Sequence, residues 1–126
     1  MEGTGARIKI SELNPSVMVI QLSGKIDTTT SDKISQEVVE VIEQMQTGIL
    51  FNLKDVTFVS SAGIRMFLTA YKKSGTMGLK SAMCYVNPSI YKIFKVAGLE
   101  KSFNIFDDES QALNTVWPPG NTEKLS

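Results

Sequence analysis

The chain has 126 residues, 42% of them hydrophobic and 21% charged, the mix of a single globular domain able to build a core. Lys plus Arg number 13 and Asp plus Glu number 13, so the formal net charge is zero, which argues against a broad electrostatic grip on nucleic acid or anionic membrane. There is no histidine and one cysteine, Cys84, which excludes a Ser-His-Asp triad, a Cys-His pair, a phosphohistidine carrier, an internal disulfide and a CxxC zinc or redox pair.

From Arg7, Ile8 and Ile10 alternate with Lys9 and Ser11, the pattern of a half-exposed strand near a sheet edge. Asn14-Pro15 reads as a turn, and Val17 to Leu22 as a more buried strand, so the two are expected to pair as an antiparallel hairpin. The period then becomes helical. Ser31 or a preceding threonine can cap a helix whose apolar stripe is Ile34, Val38, Val41, Ile42 and Met45. Ile49 to Leu53 has the look of a strand covered on both faces. A short connection is expected to deliver Ser60-Ser61-Ala62-Gly63 to a second helix, with Ile64, Phe67, Leu68 and Tyr71 on its buried face. Leu79 to Val86 is a further strand. Asn87-Pro88-Ser89 opens a third helix, buried through Ile90, Ile93, Phe94 and Ala97 and stopped by Gly98. Phe103 to Phe106 is a short strand. Asp107, Asp108 and Glu109 place negative charge at the start of a last helix, which suits the helix dipole better than a metal site. The order ββαβαβαβα predicts an α/β domain whose sheet is mixed, mostly parallel, and of about five strands with interspersed helices.

The segment from Phe51 to Arg65 carries the most chemistry. A serine at a helix start has two possible jobs. It caps the helix, a contribution of about 1 kcal/mol, or it presents a hydroxyl where a phosphate would meet unpaired N–H groups. On spacing alone both remain open for Ser60 and Ser61. Asp27 on its own reads as a turn residue. Met66, Thr69, Ala70 and Lys73 are expected on the side of the second helix away from its core face, either as a docking stripe or as a rim packed on the sheet. Cys84 reads as a small core residue, and the Lys72-Lys73 and Lys92-Lys95 charges as solvated faces.

Three segments together resemble the STAS domain of the anti-sigma factor antagonist (anti-anti-sigma factor) family. Leu22-Ser-Gly-Lys-Ile-Asp27 is similar to the family's Gly-x-Ile/Leu-Asp after the second strand. Asp55-Val-Thr-Phe-Val-Ser-Ser-Ala-Gly-Ile is similar to its Asp-x-x-Phe/Tyr-hydrophobic-Asp-Ser-Ser/Ala/Thr-Gly-Leu loop. Asn87-Pro88 through Ala97-Gly98-Leu99, with Phe103 to Asp107, is similar to its third helix and last strand. The resemblance implies one STAS-like domain over residues 7–115, with flexible termini at 1–6 and 118–126.

It also implies a bacterial phosphoprotein that works by partner switching in transcription regulation and is not itself an enzyme. The partner is an anti-sigma factor that is also an ATP-dependent serine kinase. The unphosphorylated antagonist binds it, phosphorylation of a loop serine breaks the complex, and a PP2C-type phosphatase restores it. Carried over by position, Ser61 matches the serine after the family's loop aspartate and Ala62 the next position, where some members carry the phosphorylated serine or threonine; the resemblance thus makes Ser61 the better candidate, with Ser60 as its neighbour. Ser60 itself stands where the family usually has aspartate, and Arg65 where glycine is frequent. Asp27, Ser60, Ser61, Ala62, Arg65, Met66 and Thr69 are the expected partner-binding residues. The alternative is a non-phosphorylated STAS scaffold or accessory subunit, in a stressosome-like or lipid-transport complex, with both serines serving only as caps. Either way the expectation is a cytoplasmic domain with no cofactor, no metal, no catalytic residue, no nucleic-acid partner and no direct membrane insertion: Met1 to Ala6 lacks a signal-peptide pattern, and no apolar run approaches the roughly 20 residues of a span.

Overall fold

The structure is a computed structural model that describes the backbone of residues 5–10 and 14–118 and the side chains of residues 14–118. The expected flexible termini lie outside these residues, except that β1 (Gly5–Ile10) already begins at Gly5 and Pro118 is described. At the hairpin, the amide of Ser16 donates to Asn14 Oδ1 at 3.0 Å and the amide of Val17 to Asn14 O at 3.1 Å. That turn folds β1 antiparallel onto β2 (Val17–Ile26).

The remaining strands run parallel to β2: β3 (Gly48–Val59), β4 (Ser81–Cys84) and β5 (Asn104–Phe106), giving a five-stranded sheet in sequence order with β1 at one edge. Parallel neighbours need crossovers, and α1 (Ser31–Met45), α2 (Ser61–Thr76) and α3 (Pro88–Ala97) supply them. A one-turn helix, α4 (Leu99–Ser102), follows Gly98 directly and was not anticipated; its buried Leu99 tucks it against the core. The last helix is α5 (Glu109–Val116).

The central strands alternate between two cores, so their side chains are buried on both faces of the sheet. Ile20, Leu22, Phe51 and Met83 face α1, α2 and α3, joined by Ile34, Val38, Phe67 and Phe94. The ring of Phe51 meets that of Phe67 edge-on at 5.2 Å, and Phe67 meets Phe94 at 5.6 Å. Each such pair contributes about 0.5–1.5 kcal/mol beyond its buried area. On the opposite face Val17, Val19, Leu50, Ala82 and Cys84 lie under Ala112, Leu113 and Val116 of α5 and under Trp117. Trp117 closes this side over Gly48, where a Cβ would stand 2.5 Å from the indole Nε1. Asn14 Nδ2 donates to Trp117 O at 2.8 Å and ties the end of α5 to the first turn.

Three expectations need correction. β3 does not end near Leu53 but runs to Val59. It contains two irregularities, because β2 advances from Gln21 to Ser23 while β3 advances from Asn52 to Asp55, and β2 from Gly24 to Lys25 while β3 advances from Val56 to Phe58. Asn52 supports the first of these, its Oδ1 accepting from Lys54 N at 2.9 Å and its Nδ2 donating to Glu109 Oε2 at 2.8 Å. In α2, the expected Phe67 is buried and Ile64 and Leu68 are half-buried against the same core, but Tyr71 is exposed and full burial extends instead to Gly63, Met66, Ala70 and Ser74. In α3, Ala97 faces solvent, and burial is carried by Ile90 and Phe94.

Candidate functional site

The C-terminal ends of β2 and β3 lie side by side and feed two helix starts. Ile26 pairs with Val59, and the next residue of each strand leaves the sheet: Asp27 toward α1 and Ser60 into α2. The amide of Ser60 donates to Ile26 O at 2.9 Å, which locks the two exits together. Gly63 is the residue that allows this closeness. A Cβ there would lie 2.6 Å from the Ile26 carbonyl oxygen and 2.9 Å from Val59 Cγ1, so any side chain would push α2 off the end of β2.

The two serines have separate situations. Ser60 is the N-cap of α2, with extended backbone, and its Oγ accepts from the Gly63 amide at 3.3 Å. Ser61 is the first helical residue and is exposed. Among the described residues its hydroxyl has no hydrogen-bond partner. Ser61, Arg65 and Thr69 are spaced four apart and all exposed, so they form one open stripe along α2. Ala62 is half-buried beside them. Met66 is not part of that stripe: it is 3% exposed and packs into the core, and Ala70 turns inward with it. Of the two readings of that side of α2, Met66 and Ala70 follow the one in which it packs on the sheet, and the exposed stripe runs through Arg65.

Asp27 organises the neighbouring exit. Its Oδ1 accepts from Thr29 Oγ1 at 2.8 Å and from Thr29 N at 3.0 Å, and its carbonyl accepts from Ser31 N at 2.8 Å. The Thr29 hydroxyl first, and the Thr29 amide second, hold the carboxyl below its ordinary value. Thr30 occupies the cap position of α1 without capping it; its hydroxyl donates instead to Lys25 O at 2.9 Å. Asp27 is thus both a turn residue and a half-exposed negative charge on the edge that carries the serines.

Sequence reasoning missed Phe58. It is 45% exposed, a large apolar side chain two residues before Ser60. Period-two alternation from Val56 would bury it. The extra residue in β3 at Thr57 rotates it out, so burial follows Val56 and Val59 instead. The only sequence signal was the short spacing between Val56 and Val59, both apolar.

Elsewhere, Asp108 caps α5 by accepting from Gln111 N at 2.8 Å, as the acidic helix start implied. Cys84 is fully buried, and burial first, with the charges of Glu109 and Asp108, pushes its thiol up to about 12. Lys73 bridges to Glu43 at 2.8 Å and joins α2 to α1. Among the described residues there is no cluster of three potential metal ligands and no helix long and apolar enough to cross a membrane.

With this geometry in view, comparison with known proteins is specific. The family model described as STAS domain matches residues 9–112. A curated relative, the anti-sigma F factor antagonist of Paenibacillus polymyxa, is 34% identical over 106 residues, which are 83% of this chain and 91% of that protein. The chain belongs to the STAS domain family. Its fold is that of solved STAS proteins. The anti-sigma factor antagonist SpoIIAA in its unphosphorylated form superposes with a TM-score of 0.75 at 19% identity, over 89% of this chain and 96% of that one. The phosphorylated form of the Bacillus cell fate determinant SpoIIAA superposes with a TM-score of 0.66 at 20% identity, over 87% of this chain and 99% of that one. In this STAS domain the β3–α2 junction, Phe58 to Ala62, and the Asp27 turn occupy one end of the sheet.

Proposed function

We propose that this STAS domain is an anti-sigma factor antagonist that binds an anti-sigma factor with serine-kinase activity and is released when Ser61 is phosphorylated. The observation that carries the reading is the exposed, unengaged hydroxyl of Ser61 at the first residue of α2, next to a serine that already caps the helix. The relative named an anti-sigma F factor antagonist supports the partner class, and the phosphorylated form of SpoIIAA supports the modification.

Phosphate would add about −1.5 to −2 charges at this point. The helix start tolerates that charge, because the dipole of α2 is positive there. Arg65, one turn on, is within reach of charge-assisted hydrogen bonding to it. The domain therefore keeps its fold, while the partner must now desolvate a dianion or place its own carboxylates against one. Binding is carried by Asp27, Ser60, Ser61, Ala62, Arg65 and Thr69 together with Phe58, whose exposed ring provides an apolar anchor in an otherwise polar patch. Ser60 in place of the family's aspartate keeps the cap and drops one negative charge. A PP2C-type phosphatase would return the domain to its binding form.

The test is intact mass after incubation with ATP and the candidate kinase. One phosphate is expected, absent in Ser61→Ala and retained in Ser60→Ala. Phe58→Ser is expected to weaken the complex at least tenfold (about 1.4 kcal/mol) at unchanged thermal stability. No phosphate from a kinase active on another substrate would sink the switch for that pair and leave a constitutive scaffold.

A further inference from the structure

A second feature lies at the same end of the sheet, away from the serine loop. β4 and β5 are parallel neighbours, with Cys84 paired to Phe106. The chain leaves β4 for α3, which packs on the face with α1 and α2, whereas it leaves β5 for α5 on the opposite face. Adjacent parallel strands whose connections diverge leave a crevice beyond their carboxyl ends, and such crevices are where open α/β sheets hold ligands. Here the crevice has a volume of about 450 Å³ and is lined by Tyr85, Pro88, Tyr91, Ile105, Phe106 and Asp107. That volume suits a small molecule.

The lining selects a charge. Two tyrosine rings line it, and the Tyr85 ring already draws a cation, with Lys54 Nζ 5.6 Å from its centroid. Tyr85 is held at φ 59°, a left-handed conformation that is strained for an aromatic residue. Of the acidic run after β5, Asp108 is engaged by the Gln111 amide and Glu109 by Asn52. The carboxylate of Asp107, which lines the crevice, has no partner among the described residues. For an anion, the cation at hand is Lys54 at the Tyr85 ring, and backbone donors are few. Pro88 has no N–H, the Ile90 amide is taken by Asn87 Oδ1 at 2.9 Å and the Tyr91 amide by Asn87 O at 2.8 Å, so the start of α3 offers few donors.

We propose that this crevice binds a small organic cation, an alkylammonium or guanidinium compound, through the Asp107 carboxylate and the Tyr85 and Tyr91 rings. The site is independent of the serine loop and of the switch assigned to it.

The experiment is an amide NMR titration of the full chain with choline and, separately, agmatine. The control is the neutral choline isostere in which carbon replaces the quaternary nitrogen. Saturable shifts are expected at Tyr85, Tyr91 and Asp107 with at least one cation and not with the isostere. Asp107→Asn and Tyr91→Leu should each weaken binding roughly tenfold, with melting temperatures as for the parent chain. Lys54→Gln removes a like charge and should tighten binding; an anion site would respond in the opposite sense. The proposal is overturned if neither cation gives saturable shifts, if the neutral isostere binds equally well, if Asp107→Asn binds as the parent does, or if inorganic phosphate occupies the crevice more tightly than either cation.

Discussion

The Ser60 hydroxyl accepts from the Gly63 amide at 3.3 Å while the neighbouring Ser61 hydroxyl is open, so adjacent serines should respond differently to the same substitution. Ser60→Ala removes a cap and is expected to lower unfolding free energy by about 0.5–1 kcal/mol, whereas Ser61→Ala should stay within about 0.5 kcal/mol of the parent in urea unfolding. Gly63→Ala places a methyl group against the Ile26 carbonyl oxygen, which is backbone and cannot rotate away. Overpacking of this kind costs about 1–3 kcal/mol, and the denaturant midpoint should fall accordingly. Two groups, Asp27 and Cys84, tie stability to pH at its acid and alkaline ends. Asp27 is held below its ordinary value of 3.8, so its contribution is present above that pH and lost as the pH falls through its folded value; because it is half-exposed, the loss is small. Cys84 is raised from 9.0 to about 12, so its thiol ionises in the unfolded chain first, and stability should fall between those pH values. Denaturant midpoints taken across pH, compared with Cys84→Ala, check both the window and the sign.

At the scale of elements, most of the order was legible because each helix announces itself chemically. Asn87-Pro88 and Asp108 supply caps, and Gly98 at φ 81° supplies a stop. The hairpin, the parallel core strand and the acidic start of α5 were readable for the same reason. What was not readable depended on register. The two extra residues in β3 are set by pairing with β2, which the local sequence marks only by the Val56–Val59 spacing, and they decide the exposure of Phe58. The width of the buried face of α2 was underestimated: Met66 and Ala70 are enclosed together with Phe67, while Ile64 and Leu68 pack at its margin. At the site, the serine pair was visible as a helix start, but which serine caps required coordinates. The C-terminal end of α5 offers a test of element docking. Gly48→Ala drives a methyl group into the Trp117 indole and should destabilise by about 1–3 kcal/mol. In a Trp117→Leu background the clash is relieved, so a double-mutant cycle should show the two changes to be strongly non-additive.

At the scale of the molecule, the sheet separates two apolar clusters that share no residue: one beneath α1, α2 and α3, the other beneath α5 and Trp117. The serine loop, Asp27 and Gly63 all adjoin the first cluster, through Ile26 and Val59. Distant sites without shared partners add their free energies independently. Substitutions under α5 can therefore raise or lower the stability of the whole chain while leaving the proposed partner surface unaltered, and a pair of changes, one on each side of the sheet, should sum to within about 0.5 kcal/mol. Beneath α5, away from the crevice of Tyr85 and Phe106, the domain has room to drift that the serine side lacks, and an engineer seeking a hardier version should work around Trp117.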